Sequence, residues 1–169
     1  MIAPIADVVH LARRLFASLR PFEPSARDEA LARGSLDEQA LDLWLQQAPG
    51  DRRHSAAVAR EVARAAGDEP VPEWVITAAL LHDVGKVDTG LGVVGRVVAG
   101  VLKLVRVGRF PGRVGRYLRY PEVGAAMLAD AGCDPRAVAW AAEHHRPARQ
   151  RTAPARWADR LAAADHQAV

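Results

Sequence analysis

Apolar residues recur along this chain at the three- and four-residue spacing of an α-helix. The first stretch of this kind, 5–19, places its apolar residues on one helical face: Val8, Val9, Leu11, Ala12, Leu15, Phe16 and Leu19. A stripe of this period predicts an amphipathic helix, because helical residues three and four positions apart lie on the same side. Pro21 and Pro24 are expected to end it, since proline lacks the amide hydrogen that a helix needs.

Capping and breaking residues delimit further predicted helices. Ser35 and Glu38 form a capping-box pattern at the start of the second helix. Asp51 is a candidate cap for the third helix, which Gly67 closes. Pro72 suits the first turn of the fourth helix, where an amide hydrogen has no helical partner. The predicted helices after the first span 35–48, 51–66, 71–82, 91–106, 121–130, 135–145 and 157–167.

The composition favours helices over a sheet. Ala, Val and Leu dominate the hydrophobic half of the chain, and residue types that prefer strands are sparse. With 169 residues, the chain is long enough to form one domain with a substantial core. We therefore predict an all-α fold, a single-domain helical bundle.

Positive charge is concentrated in one segment, although the net charge of the chain is only +3. Between Thr89 and Pro121 there are seven cations and no acid: Arg96, Lys103, Arg106, Arg109, Arg113, Arg116 and Arg119. Three interpretations of 91–119 stay open: a solvated face with arginines over the core, a rim that attracts phosphate, and an amphipathic patch on anionic membrane. Few aromatic residues interleave with these cations, so the nucleic-acid signal is weak.

A histidine and an aspartate stand side by side where the apolar fourth helix ends. His82 and Asp83 offer an imidazole nitrogen and a carboxylate oxygen, two ligand types that can share one divalent cation. Lys86, just beyond them, offers a point charge for a phosphate. Both features also have a simpler explanation, because a solvated helix end accommodates the doublet and a lysine there complements the helix dipole.

Further candidate ligands occur on other predicted helices. They are His54, His144, His145 and Asp165. In a helical bundle, metal sites form where side chains project inward from facing helices. A mixed nitrogen and oxygen site suits Mn, Fe, Ni, Co or Zn better than Ca, which prefers oxygen alone. The chemistry that follows is hydrolysis, because a cation polarises a phosphoryl oxygen and lowers the pKa of bound water.

The ordered set His54, His82-Asp83 and Asp165 resembles the HD superfamily of metal-dependent phosphohydrolases. The strings that carry the resemblance are Asp51-Arg52-Arg53-His54-Ser55, Leu81-His82-Asp83-Val84-Gly85-Lys86 and Ala162-Ala163-Ala164-Asp165. The resemblance implies an HD domain over 50–169, with N-terminal helices in 1–49 packing on its core. It also implies that one metal ion is bound by four residues, which are His54, His82, Asp83 and Asp165.

The middle of the chain is similar to a subgroup that includes the HD-GYP phosphodiesterases. In that subgroup a His-Pro-Glu-x-Gly motif and a later His-His pair bind a second metal. Here the His-His pair is present, but the motif reads Tyr120-Pro121-Glu122-Val123-Gly124, and no Gly-Tyr-Pro follows. Tyrosine is a poor ligand at neutral pH, because its pKa is about 10. We therefore expect one divalent ion, from among Mn, Fe, Ni, Co, Zn and Mg, and regard a second ion as doubtful.

The resemblance implies catalytic roles for Asp83, Lys86, His144 and His145. Asp83 would hold the metal and orient the attacking water, and Lys86 would approach the substrate phosphate. His144 or His145 would touch substrate, protonate the leaving group or bind a second ion. The implied function is hydrolysis of a nucleotide or another small phosphate ester. The alternative is a weakly active or inactive HD module that binds a nucleotide or a metal for signalling or scaffolding.

A cytoplasmic location is the expectation for this chain. Cys133 is its one cysteine, so an internal disulfide cannot form. The first residues lack the apolar run of a signal peptide, and no stretch of about 18 charge-free apolar residues predicts a spanning helix. The expected partner is a small phosphate-containing ligand, with peripheral contact between 91–119 and an anionic membrane as the further option.

Overall fold

The structure is a computed structural model, and it describes residues 23–89 and 119–168. Within these ranges the chain forms seven α-helices and two short 3-10 helices, and it forms no strand. The α-helices are α1 Ala26–Ser35, α2 Glu38–Gln46, α3 Pro49–Ala66, α4 Glu73–Leu81, α5 Tyr120–Asp130, α6 Pro135–Glu143 and α7 Ala155–Gln167. The 3-10 helices are Val84–Thr89 and Ala148–Gln150. The predicted all-α fold is thereby confirmed.

The prediction that the second helix begins near Ser35 is wrong. Ser35 ends α1, and the following helix, α2, is capped by Asp37, whose side chain accepts a hydrogen bond from the Ala40 amide at 2.8 Å. The capping box lies ten residues earlier. There the Ser25 hydroxyl accepts from the Asp28 amide at 3.2 Å, and the Asp28 carboxylate accepts from the Ser25 amide at 2.9 Å. The periodicity does not indicate α1, because this helix is largely polar and carries no apolar stripe.

The starts of α3 and α4 also differ from the prediction. Asp51 does not cap α3, because Pro49 already occupies the first helical position and places Asp51 inside the first turn. Pro72 precedes α4 as its N-cap residue. Gly67 ends α3 with a positive φ of 61°, as expected for a glycine stop. The predicted helices at 5–19 and 91–106 lie outside the described residues.

One apolar core connects the helices of the described ranges. Helix α4 lies at its centre, in contact with α1, α2, α3, α6 and α7. It is apolar on every side, as a fully surrounded helix must be. The largest fully buried apolar side chains are Trp44, Trp140, Leu80, Leu81, Leu128 and Leu161. Because α4 runs through the centre, the two residues that follow it, His82 and Asp83, are each only 1% exposed.

The N-terminal helices of the described part belong to the same core. Ala32 of α1, together with Ala40 and Trp44 of α2, is buried against the later helices. The Trp44 indole donates a hydrogen bond to the Ser55 hydroxyl of α3 at 3.0 Å. These contacts hold α1 and α2 against the rest of the bundle, while the division of the chain into 1–49 and 50–169 stays a prediction.

A close backbone contact fixes the segment after α4 against the start of α5. Gly85, in the first 3-10 helix, has no room for a side chain, because a Cβ atom there would collide with the Tyr120 carbonyl and the Gly124 amide. This contact brings Lys86 next to Tyr120. The segment 91–119 lies outside the described residues except for Arg119, so its proposed roles stay predictions. No helix in the described part of the chain is long and apolar enough to span a membrane.

Candidate metal centre

Two of the candidate histidines occupy the same position at the ends of different helices. His82 is the C-cap residue of α4, and His144 is the C-cap residue of α6. In each case the ring Nδ1 donates a hydrogen bond to the carbonyl three residues earlier, Ala79 or Ala141, at 2.9 Å. The last carbonyls of a helix lack intrahelical partners, so these bonds also satisfy the helix ends. Both rings therefore present Nε2 towards the centre of the bundle.

His54 is oriented in the same way from the second turn of α3. Its Nδ1 donates to the carbonyl of Ala168, just beyond the end of α7, at 2.7 Å. Its Nε2 lies 2.9 Å from the Oδ1 atom of Asp165, which α7 contributes. A backbone carbonyl thus fixes Nδ1 of three separate imidazoles. In a neutral ring this leaves a lone pair on Nε2, the form that binds a metal.

The ligand atoms of His54, His82 and Asp165 all lie within 4.8 Å of one another. His82 Nε2 is 3.6 Å from Asp165 Oδ1 and 3.5 Å from Asp83 Oδ2, so Asp83 adjoins this cluster. Metal–ligand bonds to nitrogen and oxygen are about 2.0–2.2 Å long, so one ion can contact ligand atoms spaced in this way. The sequence-predicted ligands His54, His82, Asp83 and Asp165 are therefore brought together.

A buried atom in this cluster fits a cation. Among the described residues, His82 Nε2 has no hydrogen-bond partner, although it is fully buried. An unsatisfied buried nitrogen is costly unless a ligand occupies it. Burial is the largest influence on the pKa of His82 and would lower it, but the Asp83 and Asp165 carboxylates and the Ala79 carbonyl together raise that pKa. The surroundings of Nε2 thus favour positive charge, as a metal site requires.

Lys86 lies beside this cluster, but it contacts a candidate ligand directly. Its ammonium forms an ion pair with Asp83 Oδ2, and Asp51 Oδ1 lies 3.7 Å from the same ammonium. The Tyr120 ring also lies near this ammonium, with its centroid 5.2 Å from Nζ. Lys86 is 9% exposed, which is unusual for a lysine and typical of one held by partners.

The two rings of the His144-His145 pair both lie beside Tyr120. The Tyr120 hydroxyl lies 3.3 Å from His144 Nε2 and 2.5 Å from His145 Nε2. His144 also approaches the main cluster, since its Nε2 is 3.7 Å from Asp83 Oδ1. Burial, followed by the neighbouring His145 and His82, lowers the pKa of His144 well below 6.5. His144 is therefore neutral and buried, whereas His145 is exposed.

Comparison with protein families identifies the family of the domain that contains this cluster. The model of the HD domain family matches residues 52–165, which is more than half of the chain. The chain belongs to the HD domain family. This family is one of metal-dependent phosphohydrolases, and HD domains bind divalent metals, in agreement with the cluster of candidate ligands. No curated protein and no solved structure shows significant similarity to the chain.

The family match confirms the resemblance that the ordered ligand set suggested. Its limits enclose His54 at one end and reach Asp165 at the other, so both outer ligands lie within the HD domain. The similarity to the HD-GYP subgroup is not tested by this match and stays a prediction. The site roles of Lys86, His144 and His145 likewise stay predictions, supported by their positions around the cluster.

Two residues near this HD centre were not predicted as site residues. Asp51 was interpreted only as a helix cap, although it precedes His54 by three residues and therefore shares its helical face. Glu143 is the second of these residues. It is buried and accepts hydrogen bonds from the Thr152 amide at 2.6 Å and the Thr152 hydroxyl at 3.1 Å. These bonds fix the loop that follows His144 and His145. An acid immediately before the histidine pair was the available signal.

Proposed function

We propose that this HD domain hydrolyses a nucleotide or another small phosphate ester with one divalent metal ion. The ion would be held by four residues, which are His54, His82, Asp83 and Asp165. The observation that carries the proposal is the convergence of the His54, His82 and Asp165 ligand atoms within 4.8 Å beside a buried lysine. A bound divalent ion supplies a Lewis acid for the phosphoryl oxygen and acidifies a bound water.

The surrounding side chains supply binding and proton transfer. The Lys86 ammonium neutralises charge on the phosphoryl oxygens. The Asp83 carboxylate accepts a hydrogen bond from the attacking water and orients it. Burial lowers the pKa of His144, which favours its neutral ring, so its Nε2 atom accepts a hydrogen bond and is a weak base. The exposed His145 is the better candidate to protonate the leaving oxygen.

Tyr120 supports one ion rather than two. Its hydroxyl lies at the Nε2 atoms of both His144 and His145, the atoms that would have to bind a second ion. A neutral phenol is a weak ligand, because it keeps its proton until about pH 10. The second ion would therefore have to replace a hydrogen-bonded hydroxyl without gaining a strong ligand.

Metal content and turnover together test this function. The full chain should bind about one equivalent of a transition metal when the metal is supplied in excess of its Kd. Measurement by mass spectrometry of the metal, combined with a panel of nucleotides and generic phosphate esters, covers both parts of the proposal. A protein that binds less than about a tenth of an equivalent under such conditions, and that releases no phosphate from any substrate, would refute it.

A non-catalytic HD module is the second candidate, and the contacts of Tyr120 and Lys86 favour it. The Tyr120 hydroxyl contacts the histidine pair, and the Lys86 ammonium forms an ion pair with Asp83, which competes with a phosphate for that ammonium. Such a module would bind a nucleotide or a metal for signalling or scaffolding. Thermal shift with the same ligands separates the two functions, because a ligand that stabilises the protein and is recovered unchanged indicates binding without hydrolysis.

A further inference from the structure

The buried ammonium of Lys86 lies close to two carboxylates, one from the end of α4 and one from α3. Asp83 follows α4, and Asp51 lies in the first turn of α3. Both approach Nζ, Asp83 in a direct ion pair and Asp51 at 3.7 Å. The three side chains are poorly exposed, at 10% for Lys86, 13% for Asp51 and 1% for Asp83. Solvent screens such a group weakly, so its charges interact strongly.

The same Asp83 carboxylate is a candidate ligand of the metal ion. Its Oδ2 atom contacts Lys86 and lies 3.5 Å from His82 Nε2, so it faces both the ammonium and the metal cluster. A divalent ion at the cluster would attract this carboxylate and repel the ammonium. A buried ammonium that loses its carboxylate is strongly destabilised unless another anion remains beside it.

Asp51 is placed to be that remaining anion. It shares a helical face with the ligand His54, three residues later, so α3 carries both a metal ligand and a partner for Lys86. The Asp51 side chain is 13% exposed, and its Oδ1 atom lies 3.7 Å from the Lys86 ammonium. The Tyr120 ring, 5.2 Å from Nζ, limits movement of the ammonium on a further side.

We propose that Asp51 is a positioning residue that retains the Lys86 ammonium at the edge of the centre when Asp83 binds the metal ion. Asp51 thereby lowers the competition between Lys86 and the ion for Asp83, and it raises the affinity of the centre for a divalent cation. The inference rests on the proposed one-metal centre and adds to it a residue that lies one position outside the family match.

A double-mutant cycle on metal affinity tests this role. Calorimetric titration of Mn²⁺ into metal-free full chain would compare wild type, Asp51→Asn, Lys86→Met and the double variant. Asp51→Asn should weaken Mn²⁺ binding about tenfold, in the range found for residues that support metal ligands. Lys86→Met should tighten binding, because the competing cation is removed. In the Lys86→Met background, Asp51→Asn should change the affinity by less than about twofold, since residues that act together are not additive.

The outcomes separate this inference from the proposed function. If wild type binds no Mn²⁺ or other transition metal, the one-metal centre itself fails. If wild type binds Mn²⁺ and Asp51→Asn is equally harmful with and without Lys86, Asp51 acts only through its charge and the positioning role is wrong. Unchanged affinity in Asp51→Asn overturns it as well.

Two further variants control for folding and for remote charge. Asp51→Glu keeps the carboxylate that holds Lys86 and should retain Mn²⁺ binding within about threefold, so that it tests the positioning role if Asp51→Asn proves too unstable to titrate. A Glu variant that binds Mn²⁺ about tenfold more weakly than wild type would contradict the role. Asp68→Asn removes an exposed acid just beyond the other end of α3 and should leave the affinity unchanged.

Discussion

His82 and His144 show how a helix end can orient an imidazole that is a candidate metal ligand. A histidine at the C-cap position bends back to the carbonyl three residues earlier, which is left without a partner by the end of the helix. The hydrogen bond fixes the tautomer and the ring orientation together, so Nε2 points away from the helix. One residue thus caps its helix and presents a ligand atom without requiring support from a second side chain.

Gly85 provides a stability prediction at the same scale. Gly85→Ala should destabilise the protein by about 1–3 kcal/mol, because its Cβ would meet the Tyr120 carbonyl and the Gly124 amide, and backbone cannot rotate aside. Urea denaturation measures this change. Gly34→Ala is the matched control, since Gly34 is in α1 with nothing near its Cβ position, and the substitution should stabilise by about 0.5–1 kcal/mol. Equal stabilities of the two variants would contradict the close contact.

Cys133 provides a prediction about pH. Burial, followed by the charge of Asp37, raises the pKa of its thiol above the ordinary value. A raised pKa means less thiolate at neutral pH, and the thiolate is the form that reacts. Alkylation by iodoacetamide at neutral pH should therefore be slower than that of glutathione and should accelerate as the pH rises through and beyond the ordinary cysteine pKa. Mass spectrometry of the intact chain follows the reaction, and a thiol that reacts at the glutathione rate would refute the prediction.

At the level of helices, the sequence predicted α3 to α7 well because each has either an apolar pattern or a clear boundary residue. Helix α1 could not be predicted from periodicity, because its sequence has no apolar stripe. A capping box formed by Ser25 and Asp28 stabilises its first turn instead. The candidate ligands His54, His82, Asp83 and Asp165 could be proposed from the sequence because they follow a family order, and the structure brings them together. Asp51 could not, because its contact with Lys86 depends on how α3 packs beside the end of α4.

The junction between α5 and α6 provides a prediction about the number of metal ions that the centre binds. Tyr120, at the start of α5, meets His144 and His145, just after α6, and these helices pack against each other. Tyr120→His should therefore convert the junction into a second metal site, because an imidazole at this position joins two others. We expect the bound metal to rise from about one to about two equivalents in excess metal.

Tyr120→Phe is the control for this prediction. It removes the hydroxyl without adding a ligand, so its metal content should match that of wild type. Elemental analysis after dialysis, together with calorimetric titration of Mn²⁺, distinguishes the variants. A Tyr120→His protein that still binds only the wild-type amount would show that Tyr120 does not set the number of ions.

Across the whole molecule, the candidate ligands come from elements that are remote in sequence but adjacent in the core. His54 belongs to α3, Asp165 to α7, and His82 with Asp83 to the end of the central helix α4. Helices α3 and α7 both pack against α4, so the ligand cluster forms only when these three helices are in place. An ion bound there would be bound by the folded chain and not by the unfolded one, and its binding would stabilise the fold.

Removal of the metal should therefore lower the melting temperature. At a metal concentration about 100 times the Kd, linkage predicts about 2.7 kcal/mol of stabilisation, or about 5–10 °C for a chain of this size. Calorimetric scans of metal-loaded and chelated protein measure the difference. His82→Ala should melt at the same temperature in both conditions, because it lacks the central ligand, whereas Asp68→Asn should keep the full shift. A shift that persists in His82→Ala would place the stabilising ion elsewhere, since an ion that stabilises only through this cluster cannot act once its central imidazole is gone.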